Sequence, residues 1–204
     1  MDHTLTAAEV RVLGALIEKE ITTPDYYPLS LNALVAACNQ SSNRNPVVQF
    51  DEDTVEQAAE SLRERKLVHL IARGESRVVK YRHVVYESMN MGRPDIAVLC
   101  VLMLRGPQTV GEIRTRTNRL YDFSSLEQVE TTINALMATE PPLVARLQRV
   151  VGQKEVRYAH LLSGEPLQVE AEVEVEVEPD RIGKLEKEVE DLKRQFQEFR
   201  KQFE

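Results

Sequence analysis

Apolar positions along the first 162 residues follow a period of three to four in some stretches and two in others, and each change marks an element. Thr6-Ala7-Ala8-Glu9 has the form of a capping box, with Leu5 and Val10 as its hydrophobic staple. It opens a helix that turns Val10, Leu13 and Ile17 to one side. Pro24 and Pro28 forbid its continuation. Ser30 caps a second helix whose inner face is Leu31, Leu34, Val35 and Cys38. Asp51 caps a third, with Phe50 and Val55 as staple and Val55, Ala59 and Leu62 inward. The period then drops to two. Leu67 to Ala72 and Val78 to His83 read as the strands of a β-hairpin turning through residues 73–77.

The same scheme then recurs. Pro94 sits near a helix start, and Ile96, Leu99 and Met103 form a face that ends at Gly106-Pro107. Thr109 and Glu112 make another capping box, and a third helix from Ser124 or Ser125 turns Leu126, Val129, Ile133 and Leu136 inward. A second hairpin turns through Val151-Gly152-Gln153-Lys154. Val79-Lys80-Tyr81-Arg82-His83 matches Val156-Arg157-Tyr158-Ala159-His160 at an offset of 77, and Leu67-Val68 matches Leu143-Val144 at 76. Asn43-Arg44 matches Asn118-Arg119 at 75. The offset changes only between matched segments, as in a duplicated unit whose loops absorb insertions.

Three helices followed by a hairpin are the order of a winged-helix domain. The expected class is mainly α with small β-hairpins (α+β): two tandem winged-helix domains, residues 5–85 and 94–162, joined by 87–92. A single mixed α+β domain is the alternative, and it leaves the repeat as coincidence.

Beyond the repeat the pattern changes character. Residues 163–180 alternate valine and glutamate between Pro166 and Pro179, and five glutamates on one face of a strand would repel, so the segment reads as an extended acidic linker. From residue 181 to 204, Ile182, Leu185, Val189, Leu192, Phe196, Phe199 and Phe203 fall at alternating steps of 3 and 4. That is a heptad seam with nothing polar at its a and d positions. Arg181 with Glu186, and Glu188 with Lys193, suit the flanking pairs of a parallel two-stranded coil. The expectation is a homodimer through this helix; an amphipathic helix folded back on the domains usually shows a wider apolar stripe.

Charge needs to be located before it is interpreted. The net charge of -7 over 204 residues concentrates in the linker, which carries 7 acids and no base, whereas residues 1–162 carry 19 bases and 20 acids. The acidity therefore says little about the folded surface. No apolar run is long enough to span a bilayer, and the start of the chain lacks a basic segment followed by an apolar one. Cys38 and Cys100 lie in apolar helical patterns without a CxxC or a neighbouring histidine, and read as buried thiols of a cytoplasmic protein.

Catalytic and ligand signatures are scarce. His3, His69, His83 and His160 include no HExxH spacing, and His83 and His160 occupy equivalent strand ends, as duplication requires. There is no phosphate-cradling glycine motif and no GxSxG elbow. The expectation is a non-enzymatic protein with no cofactor and no metal.

Nucleic-acid contact is the leading functional reading. A winged helix that binds DNA usually lays its third helix in the major groove and its wing against the backbone. The first copy suits this poorly, because Asp51, Glu52, Asp53, Glu56 and Glu60 would oppose phosphates. The second suits it better: Arg114, Arg116 and Arg119 interleave with Thr115, Thr117 and Asn118, and Arg146, Arg149, Lys154 and Arg157 decorate its hairpin against only Glu155. Glu127 and Glu130 on the third helix count against it, and such arginines also serve as local ion pairs. The runner-up is a protein-interaction scaffold, a role tandem winged helices fill in condensin-accessory proteins; a neutral body and acidic third helices favour it. The polar 39–46 loop reads as a helix-capping turn before it reads as a base reader, and Tyr26 and Tyr27 as a packed connection.

Long segments also resemble a known family. The runs Glu9-Val10-Arg11-Val12-Leu13-Gly14, Thr23-Pro24-Asp25-Tyr26-Tyr27-Pro28-Leu29-Ser30-Leu31, Ala37-Cys38-Asn39-Gln40-Ser41-Ser42-Asn43-Arg44 and Leu102-Met103-Leu104-Arg105-Gly106-Pro107 are similar to those of the YceH-like bacterial proteins. The resemblance spans about residues 5–162 and omits the tail. It implies a tandem winged-helix fold and supplies no active site.

Overall fold

A computed structural model describes residues 4–71, 78–149, 155–164, 189–191 and 193–196, and within the described residues up to 164 these signals build seven α-helices and five short strands. The first half holds α1 (Ala7–Thr22), a 3-10 turn (Pro24–Tyr26), β1 (Leu29–Ser30), α2 (Leu31–Cys38), α3 (Glu52–Glu64), β2 (Val68–Ile71) and β3 (Lys80–His83). A short α4 (Val85–Met89) leads into the second: α5 (Arg93–Arg105), α6 (Val110–Thr117), α7 (Leu126–Met137), β4 (Val144–Arg146) and β5 (Tyr158–His160). The class is mixed α+β, mainly helical, with small antiparallel sheets.

Local chemistry sets the helix starts. Thr6 and Glu9 close a capping box, as do Thr109 and Glu112, while Ser30, Asp51 and Ser125 cap α2, α3 and α7. Each such cap contributes about 1 kcal/mol. Both hairpins form where the period changes to two, in the same register: Val68 faces His83, and Val144 faces His160. A further pairing also repeats, since Leu29 faces Tyr81 in the first half and Gln108 bridges Tyr158 in the second. Two expectations need amending. The joining segment begins as a helix, with Asn90 left-handed at its end (φ 48°). Leu126 is 47% exposed, because it is the first residue of α7 and burial begins one turn later at Val129. The hairpin tips, residues 72–77 and 150–154, lie outside the described residues.

The core joins the two halves. Glu9 to Ile17 of α1 are buried on every side, and so are Ile96 to Leu104 of α5, because these helices pack against each other. One continuous apolar cluster therefore includes Leu13, Leu62, Leu99 and Ile133. The described residues of Met1–Leu167 form one compact unit, and those of Gln168–Glu204 form another. In the latter, 189–191 and 193–196 are helical. Ile182, Leu185, Leu192, Phe199 and Phe203 of the expected seam lie outside the described residues, while Val189 and Phe196 are 49% and 66% exposed.

Candidate functional site

The polar 39–46 loop is held from beneath by two buried arginines. Arg11 donates to the carbonyls of Cys38 (3.1 Å) and Pro46 (2.6 Å). Arg44, whose side chain is fully buried, donates to both carboxylate oxygens of Glu18 (3.1 and 2.6 Å) and to the Ala37 carbonyl (2.8 Å). Asn39 exchanges two 2.8 Å hydrogen bonds with the backbone of Phe50, as a strand partner would. These three side chains are structural. Gln40, Ser42 and Asn43 instead line a cleft.

Several arginines singled out from the sequence are committed within the fold. Arg114 is exposed but donates to the carbonyls of Phe123 (3.4 Å) and Ser124 (3.2 Å), fixing the turn before α7. Arg157 donates to Glu112 (2.9 Å) and to the Pro107 carbonyl (2.9 Å), and Arg116 reaches Glu112 at 3.5 Å. Burial works to raise the pKa of Glu112, but the Thr109 amide and the charges of Arg157 and Arg116 outweigh it and hold the carboxyl below its usual range. Arg119, Arg146 and Arg149 are exposed, and none has a carboxylate at ion-pair distance among the described residues. Lys154 lies outside the described residues.

The arginines line two separate recesses. Arg146 and Arg149 line a shallow groove of about 440 Å³ on the second hairpin, with Gln148 and Val156. Arg116 and Arg119 line a different cleft, of about 420 Å³, whose other walls include Lys19, Gln40, Asn43 and Arg105. Sequence reasoning missed Lys19 and Arg105 as members of one group. Each is the basic residue in the last turn of its helix, which was legible, but their approach depends on α1 packing against α5.

On α3, Glu52, Asp53 and Glu56 are exposed, as the acid-rich sequence implied. On α7, Glu127 and Glu130 are exposed beside Thr131 and Asn134. Tyr26 is 78% exposed rather than packed, whereas the Tyr27 hydroxyl accepts the His83 amide at 2.7 Å. Among the described residues, no cluster of three histidine, cysteine or acidic side chains fits a metal ion, and no helix is long and apolar enough to cross a membrane.

Comparison with known proteins places the chain. The family described as "Protein of unknown function, DUF480" matches residues 5–153. A "UPF0502 protein" of Solibacter usitatus is 54% identical over 214 residues, covering all of both chains. One from Opitutus terrae is 54% identical over 187 residues, covering 91% of this chain and 81% of that one. One from Geotalea uraniireducens is 50% identical over 220 residues, again covering both chains completely. The family match over most of the repeat region and the identity to whole-length relatives lead to one conclusion: the chain belongs to the DUF480 family of uncharacterised bacterial proteins.

Proposed function

We propose that residues 5–85 and 94–162 are two winged-helix domains in tandem, and that the protein is a non-enzymatic, DNA-binding regulator. The domain reading is supported by the recurrence of three helices and a hairpin, the repeated histidine register, and the matching β1-type pairing at Leu29 and Gln108. It also agrees with the YceH-like resemblance. The observation that carries DNA contact is the pair Arg146 and Arg149, exposed on the second hairpin with no carboxylate at ion-pair distance among the described residues. Guanidinium groups on a wing are placed for phosphates, while Glu127 and Glu130 keep α7 from close approach to the backbone. The proposed footprint is thus led by the wing.

Replacing Arg146 and Arg149 with Ala should weaken binding to duplex DNA evenly across sequences and lower its salt slope by about 2, one for each lost phosphate contact. Fluorescence anisotropy at several ionic strengths reads both quantities. Absence of salt-sensitive binding by the intact protein would overturn the reading in favour of a protein-interaction scaffold. That second reading draws on the exposed acids of α3 and on Leu70, Val78 and Val79, exposed on or beside the first hairpin.

The tail adds a further element. We infer a parallel homodimer through residues 181–204; the exposure of Val189 and Phe196, seven residues apart, suits a seam that a second copy covers. Two linked copies would raise avidity for a repeated target. Sedimentation equilibrium of the full chain at tens of micromolar should give the dimer mass, and a chain ending at Ser163 the monomer mass. A monomer in both cases overturns the dimer.

A further inference from the structure

We propose that the cleft between α1, the 39–46 loop, α5 and α6 binds a small phosphate-bearing anion of about the size of a nucleoside phosphate. The inference is independent of wing-led DNA contact.

The first argument is charge. Lys19, Arg105, Arg116 and Arg119 all line the cleft, and Glu18 is the acid among its lining residues. Both oxygens of Glu18 are held from behind by the buried Arg44, at 3.1 and 2.6 Å, which neutralises it. Lys19 approaches Glu18 only to 3.9 Å, and Arg116 is drawn toward Glu112 at 3.5 Å. Arg105 and Arg119 have no carboxylate at ion-pair distance among the described residues. Several cations facing one recess create a potential that a multiply charged anion relieves.

The second argument removes the ordinary explanation for those cations. Lys19, Arg105 and Arg116 sit in the last turns of their helices, where basic residues complement the dipole and bond free carbonyls. Several of those carbonyls already have partners. The Thr22 hydroxyl donates to the Glu18 carbonyl (2.7 Å), and the Thr23 amide to that of Lys19 (3.1 Å). The Asn45 amide serves Leu104 (2.9 Å), and the Gln108 side chain serves Arg105 (3.0 Å). At these four carbonyls of α1 and α5 the guanidinium and ammonium donors are therefore not needed.

The third argument is shape and orientation. Asn43, left-handed at φ 59°, accepts a hydrogen bond from the Arg105 guanidinium through Oδ1, which orients the fork while leaving other N–H groups available. Burial first, then the charge of Arg116 and less so that of Arg44, outweigh the opposing pull of Glu18 and hold the Arg105 pKa below its usual value. Asn118 and the Gln40 amide nitrogen, whose Oε1 already accepts from Arg44 at 3.1 Å, add groups suited to a base or sugar hydroxyl, and Val101 and Leu104 add apolar lining. A volume of about 420 Å³ lies in the usual range for small-molecule sites. The walls come from both halves of the unit, so occupancy would stabilise their packing.

The test titrates the full-length protein with inorganic pyrophosphate and with ADP at constant ionic strength, read by calorimetry and by thermal unfolding. The expected result is saturable one-to-one binding and a raised unfolding midpoint. Arg119→Gln and Arg105→Gln should each weaken binding at least tenfold, while replacing Arg146 and Arg149 leaves it unchanged. Arg119 is exposed, so its variant should keep the unliganded unfolding midpoint and separate ligand loss from misfolding. No saturable binding of either probe at millimolar concentration overturns the proposal, as does equal binding by Arg119→Gln. Duplex DNA binding that depends on Arg105 and Arg119 when neither probe binds also overturns it, and would assign the cleft wall to a backbone track.

Discussion

Substituting Gly14 with Ala places one methyl group at the contact between the two central helices, and the structure fixes the sign of the result. A Cβ at this position would lie 2.9 Å from Leu104 Cδ2, 3.0 Å from Leu104 Cγ and 3.3 Å from Met103 Cβ. Carbon atoms settle at about 3.5–4.0 Å, so α5 must retreat by about half an ångström or more. Leu104 and Met103 are themselves buried, and Leu104 can yield only toward the cleft it borders. Overpacking of this kind costs about 1–3 kcal/mol. Against it stands the helix propensity of Ala over Gly, about 1 kcal/mol. The net effect is destabilisation of about 0–2 kcal/mol. Gly111 supplies the control, because it lies in α6 and a Cβ there meets nothing within 4 Å. Gly111→Ala should therefore stabilise by about 0.5–1 kcal/mol. Urea unfolding of the two variants should separate them by about 1–3 kcal/mol, the cost of overpacking alone. Equal stabilisation by both substitutions would refute the close approach of α1 to α5.

Two further perturbations probe buried polar groups. Arg44→Met leaves Glu18 mostly buried with only the distant Lys19 (3.9 Å) as an ion partner and should cost about 3 kcal/mol in chemical denaturation; adding Glu18→Gln should recover part of that loss, and strict additivity would contradict the pairing. Burial pushes the His160 pKa down to about 4, so the unfolded chain takes up a proton below about pH 6.5 that the folded chain refuses until about pH 4. Stability from this group is fully present above pH 6.5 and declines as pH falls to about 4, by a total of about 3 kcal/mol, and His160→Gln should flatten that part of the profile. Glu9 is distinguishable from this. Burial raises its pKa, but hydrogen bonds from Ser61 and Thr6 and the charge of Arg65 leave it lowered, so its contribution is present above the usual carboxylate pKa and is lost only at lower pH.

The candidate side chains divide along the same line as these predictions. Arg146 and Arg149 are legible in the sequence as hairpin arginines, and they remain exposed. Arg157 belongs to the same hairpin and Arg114 to α6, yet Arg114 bonds the turn before α7 and Arg157 bonds Glu112 and the Pro107 carbonyl. A guanidinium cannot be assigned to solvent or to a carbonyl until the chain around it is placed, since its partner can lie 45 residues away, as Glu112 does from Arg157.

What the sequence determined by itself is local. The caps at Thr6, Ser30, Asp51, Thr109 and Ser125, the stop at Pro24, and the change to period two at each hairpin all depend on groups within a few residues, so short-range stereochemistry suffices. The tertiary structure decided the rest. Helical spacing in α1 indicated one inner face at Val10, Leu13 and Ile17, whereas Glu9 to Ile17 are all buried because α5 covers the remaining sides. The uninterrupted apolar run from Ile96 to Leu104 carried that information, since a helix apolar all round must be covered all round, but it did not name the partner. Only that packing brings Lys19, Asn43, Arg105 and Arg119 around one cleft. Their convergence is a long-range arrangement with no local period, and for that reason no window of sequence contains it.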